Sequence, residues 1–146
     1  MGDTEATSEF ASASVRGLIE SGGQYLLLKH EMSTGPIWGV PGGRAEIGED
    51  PREAVAREVY EETRLEVDVG NPLEAFSYTW NGGDSGVVSV IFECERVGGS
   101  VDISANPDQN EPITGYRWLG PAAVARDSLP MEDALERVVL EHASES

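Results

Sequence analysis

Three glutamates, Glu58, Glu61 and Glu62, follow one another at a spacing that could support chemistry. Helical residues three and four positions apart share a face, where like charges repel each other by a few tenths of a kcal/mol per pair. A carboxylate cluster that is partly shielded from water therefore needs a cation. Oxygen ligands suit Mg²⁺ or Mn²⁺, and Mg²⁺ held by few carboxylates commonly binds a substrate phosphate. The spacing thus predicts a divalent-metal site that acts on phosphate groups.

The overall acidity of the chain offers a simpler explanation for the same cluster. Of 146 residues, 27 are acidic and 10 are basic, and the formal net charge is −17. Many carboxylates must therefore be solvated surface groups. This composition resembles that of proteins from salt-loving microbes. It disfavours binding to a nucleic acid polymer or to an anionic membrane, because both require a basic patch. The spacing of the residues around the cluster distinguishes between a metal site and a solvated acidic surface.

A helix that begins after Asp50 positions the cluster. Asp50 is a favourable N-cap, Pro51 suits the first helical position, and Glu53 completes a capping box. The helix is predicted to run to about Glu62 or Thr63. Its core face consists of Ala54, Val55 and Val59. The preceding turn Pro41-Gly42-Gly43 allows a tight loop to lie against the helix, so that backbone carbonyls come close to the glutamates.

This segment resembles the Nudix box, a loop–helix–loop of hydrolases that act on nucleoside diphosphates linked to another group. The box reads Gly, five residues, Glu, seven residues, Arg-Glu-aliphatic-any-Glu-Glu-any-Gly-aliphatic, and it covers 23 of the 146 residues here. The matching residues are Gly43, Glu49, Arg57, Glu58, Val59, Glu61, Glu62 and Leu65. Arg64 stands where the family has glycine. Such a glycine ends the helix in a left-handed conformation, which is expected to cost Arg64 about 1 kcal/mol.

The resemblance implies a role for each acidic residue of the box. Glu58 and Glu62 are implied as the principal metal ligands, and Glu61 as a further ligand or as the general base. Glu49 is implied to support the site as a ligand or as the partner of a ligand. The carbonyl of Gly43, or that of the preceding glycine, completes the ligand set. The implied cofactor is Mg²⁺ or Mn²⁺.

The implied reaction is a metal-dependent pyrophosphohydrolysis, in which water attacks one phosphorus of a nucleoside diphosphate derivative. Examples of such substrates are ADP-ribose, an oxidised nucleotide and a dinucleoside polyphosphate. Arg57 would orient a glutamate through a charge-assisted hydrogen bond. Glu111 is a further catalytic candidate, because some family members use a glutamate from a comparable loop as base or extra ligand. An ordinary acidic surface loop explains Glu111 equally well, and Asp108 is a weaker candidate for the same role.

Four residues outside the box are candidates for binding the substrate. Lys29, the only lysine, and Arg16 lie in predicted strands, from which a cation can contact phosphate. Tyr78 and Trp80 alternate along another predicted strand, so they point to the same side and could stack on a nucleobase. Each of the four also has an ordinary explanation, as a strand-end cation or as a packed aromatic side chain.

The order of the predicted elements indicates an α+β fold. Two hairpins are predicted with turns at residues 21–23 and 81–85, and a late strand and two helices follow. The last helix carries an apolar stripe of Met131, Ala134, Leu135, Val138 and Val139. The family resemblance implies a mixed-sheet α/β/α sandwich. The predicted organisation is an acidic flexible tail at residues 1–9 and a single domain at residues 10–146.

The composition and the N-terminal sequence favour a cytoplasmic protein. The N-terminal residues lack the basic and apolar regions of a signal peptide, and no apolar run approaches the roughly 20 residues of a membrane span. Cys94, the sole cysteine, is compatible with a reducing compartment and is predicted to be a small core residue. The expected partner is a small-molecule nucleotide, and a homodimer is a further expectation.

A second class of function remains open, in which the same fold serves as a non-catalytic nucleotide-binding or regulatory module. The three mutually repelling glutamates favour the enzyme, because a binding module has no need of them.

Overall fold

Seven strands form one mixed sheet in the computed structural model, which describes residues 10–105 and 112–145. The strands are β1 (Ser12–Ser21), β2 (Gln24–Met32), β3 (Gly35–Gly39), β4 (Gly42–Arg44), β5 (Glu66–Trp80), β6 (Ser85–Gly98) and β7 (Ile113–Leu119). Their order is β3-β2-β1-β6-β5, with β4 paired to β1 and β7 paired to β2. Strands β1 and β6 are parallel, and the other pairs are antiparallel. The predicted tail and the candidates Glu111 and Asp108 lie outside the described residues.

Helices cover both faces of the sheet. They are α1 (Pro51–Thr63), α2 (Pro121–Asp127) and α3 (Asp133–Glu145). One apolar core joins the sheet to α1 and contains Val15, Ile19, Leu26, Leu28, Ala54, Val55, Val59 and Leu65. The other joins the opposite face to α2 and α3 and contains Leu18, Tyr25, Leu27, Ile91, Val124, Leu135, Val138 and Val139. Alternate residues of β2 therefore enter opposite cores, as the period of a strand requires. The predicted mixed-sheet α/β/α class is confirmed.

Both predicted hairpins are present. The first turns at Gly22 and Gly23, whose φ angles of 62° and 82° suit the two-residue turns that match strand twist. The second turns at a short 3₁₀ segment, Asn81–Gly83. Strand β5 begins at Glu66 and continues through Pro72, where its register with β6 is irregular. Proline is tolerated there since β5 lies at the edge of the sheet, where its missing N–H leaves no partner unsatisfied.

Helix α1 begins as its sequence predicts. The Asp50 side chain accepts a hydrogen bond from the Arg52 backbone N–H at 2.9 Å. In return, the Glu53 carboxylate accepts one from the Asp50 backbone N–H at 3.3 Å, which completes the capping box. These contacts satisfy N–H groups that have no partner within the helix. The cap therefore sets the helical register that places the box glutamates.

A glycine in β1 allows α1 to lie close to the sheet. A Cβ at Gly17 would come within 3.1 Å of Val55 and 3.2 Å of Val59. It would also come within 3.0 Å of the Cys94 Sγ. Cys94 is buried as predicted, and burial raises the pKa of its thiol to about 12. This close packing ties the helix that carries the glutamates to the centre of the sheet.

The start of the last helix differs from the prediction. Helix α3 begins at Asp133, so Met131 and Glu132 precede it. The Trp38 backbone N–H donates a hydrogen bond to the Pro130 carbonyl at 2.7 Å, and Met131 forms a parallel bridge with Trp38. These contacts with β3 hold the segment in an extended form, which excludes it from the helix.

Arg64 adopts the left-handed conformation that the box glycine was expected to provide. Its φ and ψ are 66° and 12°, and its backbone N–H donates to the Tyr60 carbonyl at 2.9 Å. The Arg64 guanidinium lies over the Tyr60 ring, 5.1 Å from its centroid. An exposed cation–π contact contributes about 0.5–1 kcal/mol, which is close to the cost of the left-handed backbone. The helix thus ends in the family geometry without glycine.

We expect Arg64→Gly to change the free energy of unfolding by less than about 0.5 kcal/mol, because the relieved strain and the lost cation–π contact offset each other. Arg64→Ala keeps the strain and loses the contact, so it should lower the stability by about 0.5–1 kcal/mol. Urea denaturation of the two variants beside the wild type measures both values. An Arg64→Ala variant as stable as the wild type would contradict this account.

Candidate active site

Strand β4 places two glycines between β1 and α1. Gly42 lies opposite Arg16 in the β1 pairing, and a Cβ there would come within 2.8 Å of the Arg16 Cγ. A Cβ at Gly43 would come within 2.6 Å of the carboxyl carbon of Glu58. Successive residues of a strand face opposite sides. A Cβ at Gly42 would first meet the Val15 carbonyl oxygen, so Gly42 lets β4 lie close to the backbone of β1 on the face of Arg16. Gly43 makes room for Glu58 on the other face.

One arginine connects the acidic side chains of the box. Arg57 donates to both carboxylate oxygens of Glu49, from Nε at 2.8 Å and from Nη2 at 3.0 Å. Its Nη1 donates to Glu58 at 3.0 Å and to Glu61 at 3.3 Å. Nη2 also donates to the Arg44 carbonyl at 3.2 Å. The guanidinium thus offsets part of the repulsion among three carboxylates and joins the loop to the helix.

The carboxylates of this network differ in their acidity. Hydrogen bonds from Arg57 and from the Glu46 backbone N–H lower the pKa of Glu49 to about 2. Burial is the main cause that raises the pKa of Glu58, and the charges of Glu61 and Glu49 add to it against the opposing effect of Arg57. The bond to Glu49 is the main cause that raises the pKa of Arg57. Glu58 is thus a carboxylate whose charge the protein alone does not fully compensate.

Glu62 connects the box to the opposite face. One of its carboxylate oxygens accepts a hydrogen bond from the Gly42 backbone N–H at 3.0 Å, and the residue also lines a cleft. Glu61, on the same helix, is 43% exposed at its side chain. The cluster glutamates of α1 therefore differ in exposure, from the mostly covered Glu58 to the partly exposed Glu61.

The oxygen ligands around Gly43 fit a divalent metal. The partly buried Glu58 carboxylate lies against Gly43, where a side chain would displace it, and burial raises its pKa. Within residues 10–105 and 112–145, no three Asp, Glu, His or Cys side chains already form a metal-binding group. Arg57 instead occupies a position among the carboxylates. The donor chemistry suits Mg²⁺ or Mn²⁺.

A cleft of about 900 Å³ lies on the face that carries α2 and α3. Its lining includes Ser12, Ser14, Arg16, His30, Trp38, Gly42, Gly43, Arg44, Glu62, Tyr78, Trp80 and Glu132. Strand β1 contributes the serines and Arg16 to its lining, β5 contributes Tyr78 and Trp80, and β3 contributes Trp38. Because Glu62 and both glycines border it, the cleft connects directly with the acidic residues of α1.

Arg16 lies inside this cleft, on the side of Glu62. Its guanidinium forms an ion pair with Glu132 and lies 5.2 Å from the centroid of the Phe76 ring. Only 15% of its side chain is exposed. The residue is thus held between the acidic cluster and the aromatic residues of β5.

Three aromatic side chains continue from Arg16 along β5. The centroids of the Phe76 and Tyr78 rings are 6.2 Å apart, and those of Tyr78 and Trp80 are 5.9 Å apart. Tyr78 and Trp80 are 41% and 40% exposed, and both border the cleft. The predicted alternation therefore does bring the two rings to the same side. They form an exposed aromatic surface, named here the β5 platform (Tyr78 and Trp80).

Lys29 is not brought to the cleft. Its Nζ lies 3.8 Å from a carboxylate oxygen of Glu31, and the lysine stem lies over Gly115 of β7. Sequence reasoning, in turn, missed Glu132 and Arg44. Glu132 carried no signal, because only the attachment of its segment to β3 directs it toward the cleft. Arg44 follows the box glycine at a position where the family pattern allows any residue.

Comparison with known protein families identifies the family to which this fold and box belong. Residues 10–141 match the NUDIX domain family. The chain belongs to the Nudix family. It is accordingly an enzyme of that family, a Nudix-type hydrolase. The resemblance based on the box residues is thereby confirmed.

Several curated Nudix-family relatives cover most of the chain. A MutT-like protein of Streptomyces ambofaciens is 34% identical over 122 residues, which are 83% of this chain and 72% of that protein. An ADP-ribose pyrophosphatase of Methanocaldococcus jannaschii is 34% identical over 103 residues, which are 68% of this chain and 59% of that protein. An RNA pyrophosphohydrolase of Dinoroseobacter shibae is 30% identical over 117 residues, which are 70% of this chain and 72% of that protein.

The Nudix fold is shared with solved structures. A MutT protein from Methanosarcina mazei superposes with a TM-score of 0.73 at 24% identity, covering 95% of this chain and 97% of that one. Among the described residues, none of the helices has the length and apolar character needed to cross a membrane.

We expect Glu58→Gln to raise the melting temperature in metal-free buffer at pH 7. The pKa of Glu58 is raised above its ordinary value of 4.5 in the folded protein, so its ionisation opposes folding as the pH rises through that value. The gain should vanish below about pH 4, where the carboxyl is protonated in both states. Thermal denaturation with EDTA at pH 7 and at pH 3.5 measures the difference.

Glu49→Gln is the matched control with the opposite sign. The pKa of Glu49 is lowered to about 2, so its charge stabilises the fold above the unfolded value and is lost as the pH falls toward 2. This variant should melt at a lower temperature at pH 7. Destabilisation by Glu58→Gln in metal-free buffer would show that its carboxylate is compensated after all.

Proposed function

We propose that this Nudix hydrolase is a metal-dependent pyrophosphohydrolase that cleaves a nucleoside diphosphate linked to another moiety. The position of Glu62 carries the proposal. This residue belongs to the acidic cluster of α1, is held by the Gly42 backbone N–H, and borders the substrate-sized cleft. A diphosphate in the cleft would therefore lie beside the carboxylates that suit a divalent ion.

In this proposal, the glutamates of α1 have different roles. Glu58, Glu62 and the Gly43 carbonyl would hold the ion, with Glu61 as a further ligand. When bound, a divalent ion would neutralise charge on the phosphate oxygens and lower the pKa of the attacking water. Glu61 is a better candidate for the general base than Glu58, because its carboxylate is more exposed and its contact with Arg57 is longer, at 3.3 Å.

Arg57 and Glu49 would act on the other residues rather than on the substrate. Arg57 already contacts Glu49, Glu58 and Glu61, and the bidentate bond to Glu49 prevents its guanidinium from rotating away. This arrangement fixes the carboxylate orientations before substrate arrives. The conformational entropy of these side chains is then lost during folding, so that it does not add to the barrier of the reaction.

Arg16 and the β5 platform would bind the rest of the substrate. Arg16 lies across from Gly42, where it can contact a phosphate oxygen. The row of paired residues that contains Ser12, Val87 and Tyr78 crosses β1, β6 and β5. With about 4.8 Å between strands, the platform lies roughly 10 Å from β1. That separation suits a nucleoside whose diphosphate lies at β1 and β4 and whose base stacks on β5. Lys29 has weaker support as a phosphate ligand, since it does not border the cleft.

Examples of the proposed substrate class are ADP-ribose, oxidised nucleotides and dinucleoside polyphosphates. Relatives named ADP-ribose pyrophosphatase and RNA pyrophosphohydrolase support an anhydride substrate that carries a nucleoside. Glu111 as an alternative base, the cytoplasmic location, the homodimer and the halophilic origin remain predictions from the sequence.

Glu62→Gln and Glu58→Gln are expected to lower kcat/KM by about 10²–10³-fold, the scale for loss of one electrostatic contact to a reacting group. The assay is a substrate screen with Mg²⁺ or Mn²⁺ in buffers of low and molar KCl, with product separation to identify the cleaved bond. Glu66→Gln, an exposed charge change at the start of β5, is the control and should keep full activity.

The same screen tests the second class of function, the non-catalytic nucleotide-binding module. Turnover of any nucleoside diphosphate derivative by the wild type but not by Glu62→Gln establishes the enzyme. Nucleotide and metal binding without any turnover would instead support the non-catalytic module.

Tyr78→Leu and Trp80→Leu should each raise KM with little change in kcat. Stacking of a base on an aromatic ring contributes about 1–3 kcal/mol, so the expected increase is about 5- to 150-fold. Steady-state kinetics on the substrate found in the screen measure it. Tyr116→Leu removes an equally exposed ring of β7 that does not border the cleft, and it should leave KM unchanged. Equal effects of all three changes would show that the platform does not bind the base.

A further inference from the structure

An ion pair occupies the wall of the cleft between the acidic cluster and the β5 platform. Arg16 from β1 pairs with Glu132 from the segment before α3, and both residues border the cleft. About a third of the Glu132 side chain, 35%, is exposed. The cleft therefore presents a carboxylate to a ligand, in addition to the carboxylates of α1.

The fold holds this carboxylate in place. The Pro130 carbonyl accepts a hydrogen bond from the Trp38 N–H, and Met131 bridges to Trp38, so the backbone before Glu132 is attached to β3. After it, the Glu136 N–H donates to the Glu132 carbonyl at 3.0 Å as α3 begins. A backbone attached on both sides keeps the Glu132 carboxylate at the wall of the cleft.

Arg16 lies where the phosphate chain of a substrate has to pass. Its stem crosses Gly42, the residue whose N–H holds Glu62, and its guanidinium lies over the ring of Phe76. A ligand that extends from Glu62 to the β5 platform therefore passes Arg16 and its partner Glu132. Any additional anionic group at this point meets a fixed negative charge.

The charges that border the cleft are closely balanced. Among the described residues that line it, Arg16 and Arg44 are cationic, and Glu62 and Glu132 are anionic. The whole chain around them carries a net charge of −17. Such a site can compensate a diphosphate beside a divalent ion, and each further negative charge is opposed by Glu132 and by the field of the chain.

We propose that Glu132 is a specificity-determining residue, which selects nucleoside diphosphates whose second moiety is uncharged over nucleotides that carry further phosphates. Glu132 neutralises Arg16 in the free enzyme and repels the extra phosphate charge of the disfavoured class. This inference rests on the proposed function and names the substrate class within it. It favours an ADP-sugar type of substrate over a nucleoside triphosphate.

The test compares ADP-ribose with ATP, which share adenosine but differ by about two negative charges near pH 7. We expect wild-type kcat/KM to favour ADP-ribose. Glu132→Gln should reduce that preference by about tenfold, and molar KCl should shrink the effect because it screens the repulsion. Glu132→Asp keeps the charge and should stay near the wild-type ratio. Glu136→Gln, the same change at an exposed position of α3, should not alter the ratio.

Two kinetic outcomes would overturn the inference. One is an unchanged ratio in Glu132→Gln. The other is an equal change for both substrates, which would mean that Glu132 only positions Arg16.

A binding measurement separates this inference from the proposed function. Calorimetry of ADP-ribose and ATP with Mg²⁺ in a Glu61→Gln background, which keeps Glu58 and Glu62, with and without Glu132→Gln, reports selectivity without requiring turnover. A shifted binding ratio with no wild-type turnover of any substrate would support the selectivity and refute the hydrolase proposal. Wild-type turnover with an unshifted binding ratio would refute the selectivity alone.

Discussion

Repulsion among the carboxylates of one helix is the constraint on which the rest of the site depends. Glu58 and Glu61 lie on the same face of α1, and Glu49 approaches from the preceding loop. Arg57 contacts all three, so a single guanidinium keeps the cluster together without neutralising it. The burial that raises the pKa of Glu58 shows the remaining imbalance. The carboxylates repel each other in the free protein. A divalent ion bound as proposed would relieve this repulsion, and the relief would add to its affinity.

Close approach of the backbone is the second requirement. Gly42 and Gly43 lie in a short strand between β1 and α1, where a side chain on Gly42 would meet the Val15 carbonyl and one on Gly43 would meet the Glu58 carboxylate. The acidic cluster lies on the α1 side and the cleft on the side of α2 and α3. Glu62 reaches across this boundary through its bond to the Gly42 N–H. The acidic cluster and the cleft therefore adjoin each other at these two glycines, next to the central strand β1.

Departure from a family pattern need not change the geometry. Arg64 takes the left-handed conformation of the box glycine, and its guanidinium lies over Tyr60. The αL strain is offset by a contact that glycine could not make. The helix C-terminus, and with it the position of the glutamates one turn earlier, is thus retained by different means.

Local features of the sequence determined the capped helix α1, the glycine turns of both hairpins and the alternation of Tyr78 with Trp80. Each depends on residues a few positions apart, through backbone hydrogen bonds, permitted φ angles and strand period. The family resemblance added the roles expected of the box. The tertiary structure alone decided that Arg16 rather than Lys29 borders the cleft, and that Glu132 faces Arg16 from 116 residues away. Tertiary contacts also determined that β5 continues through Pro72 and that Met131 precedes α3. These outcomes arise because the pairing of distant strands, and the attachment of a loop to an edge, depend on contacts that no local pattern records.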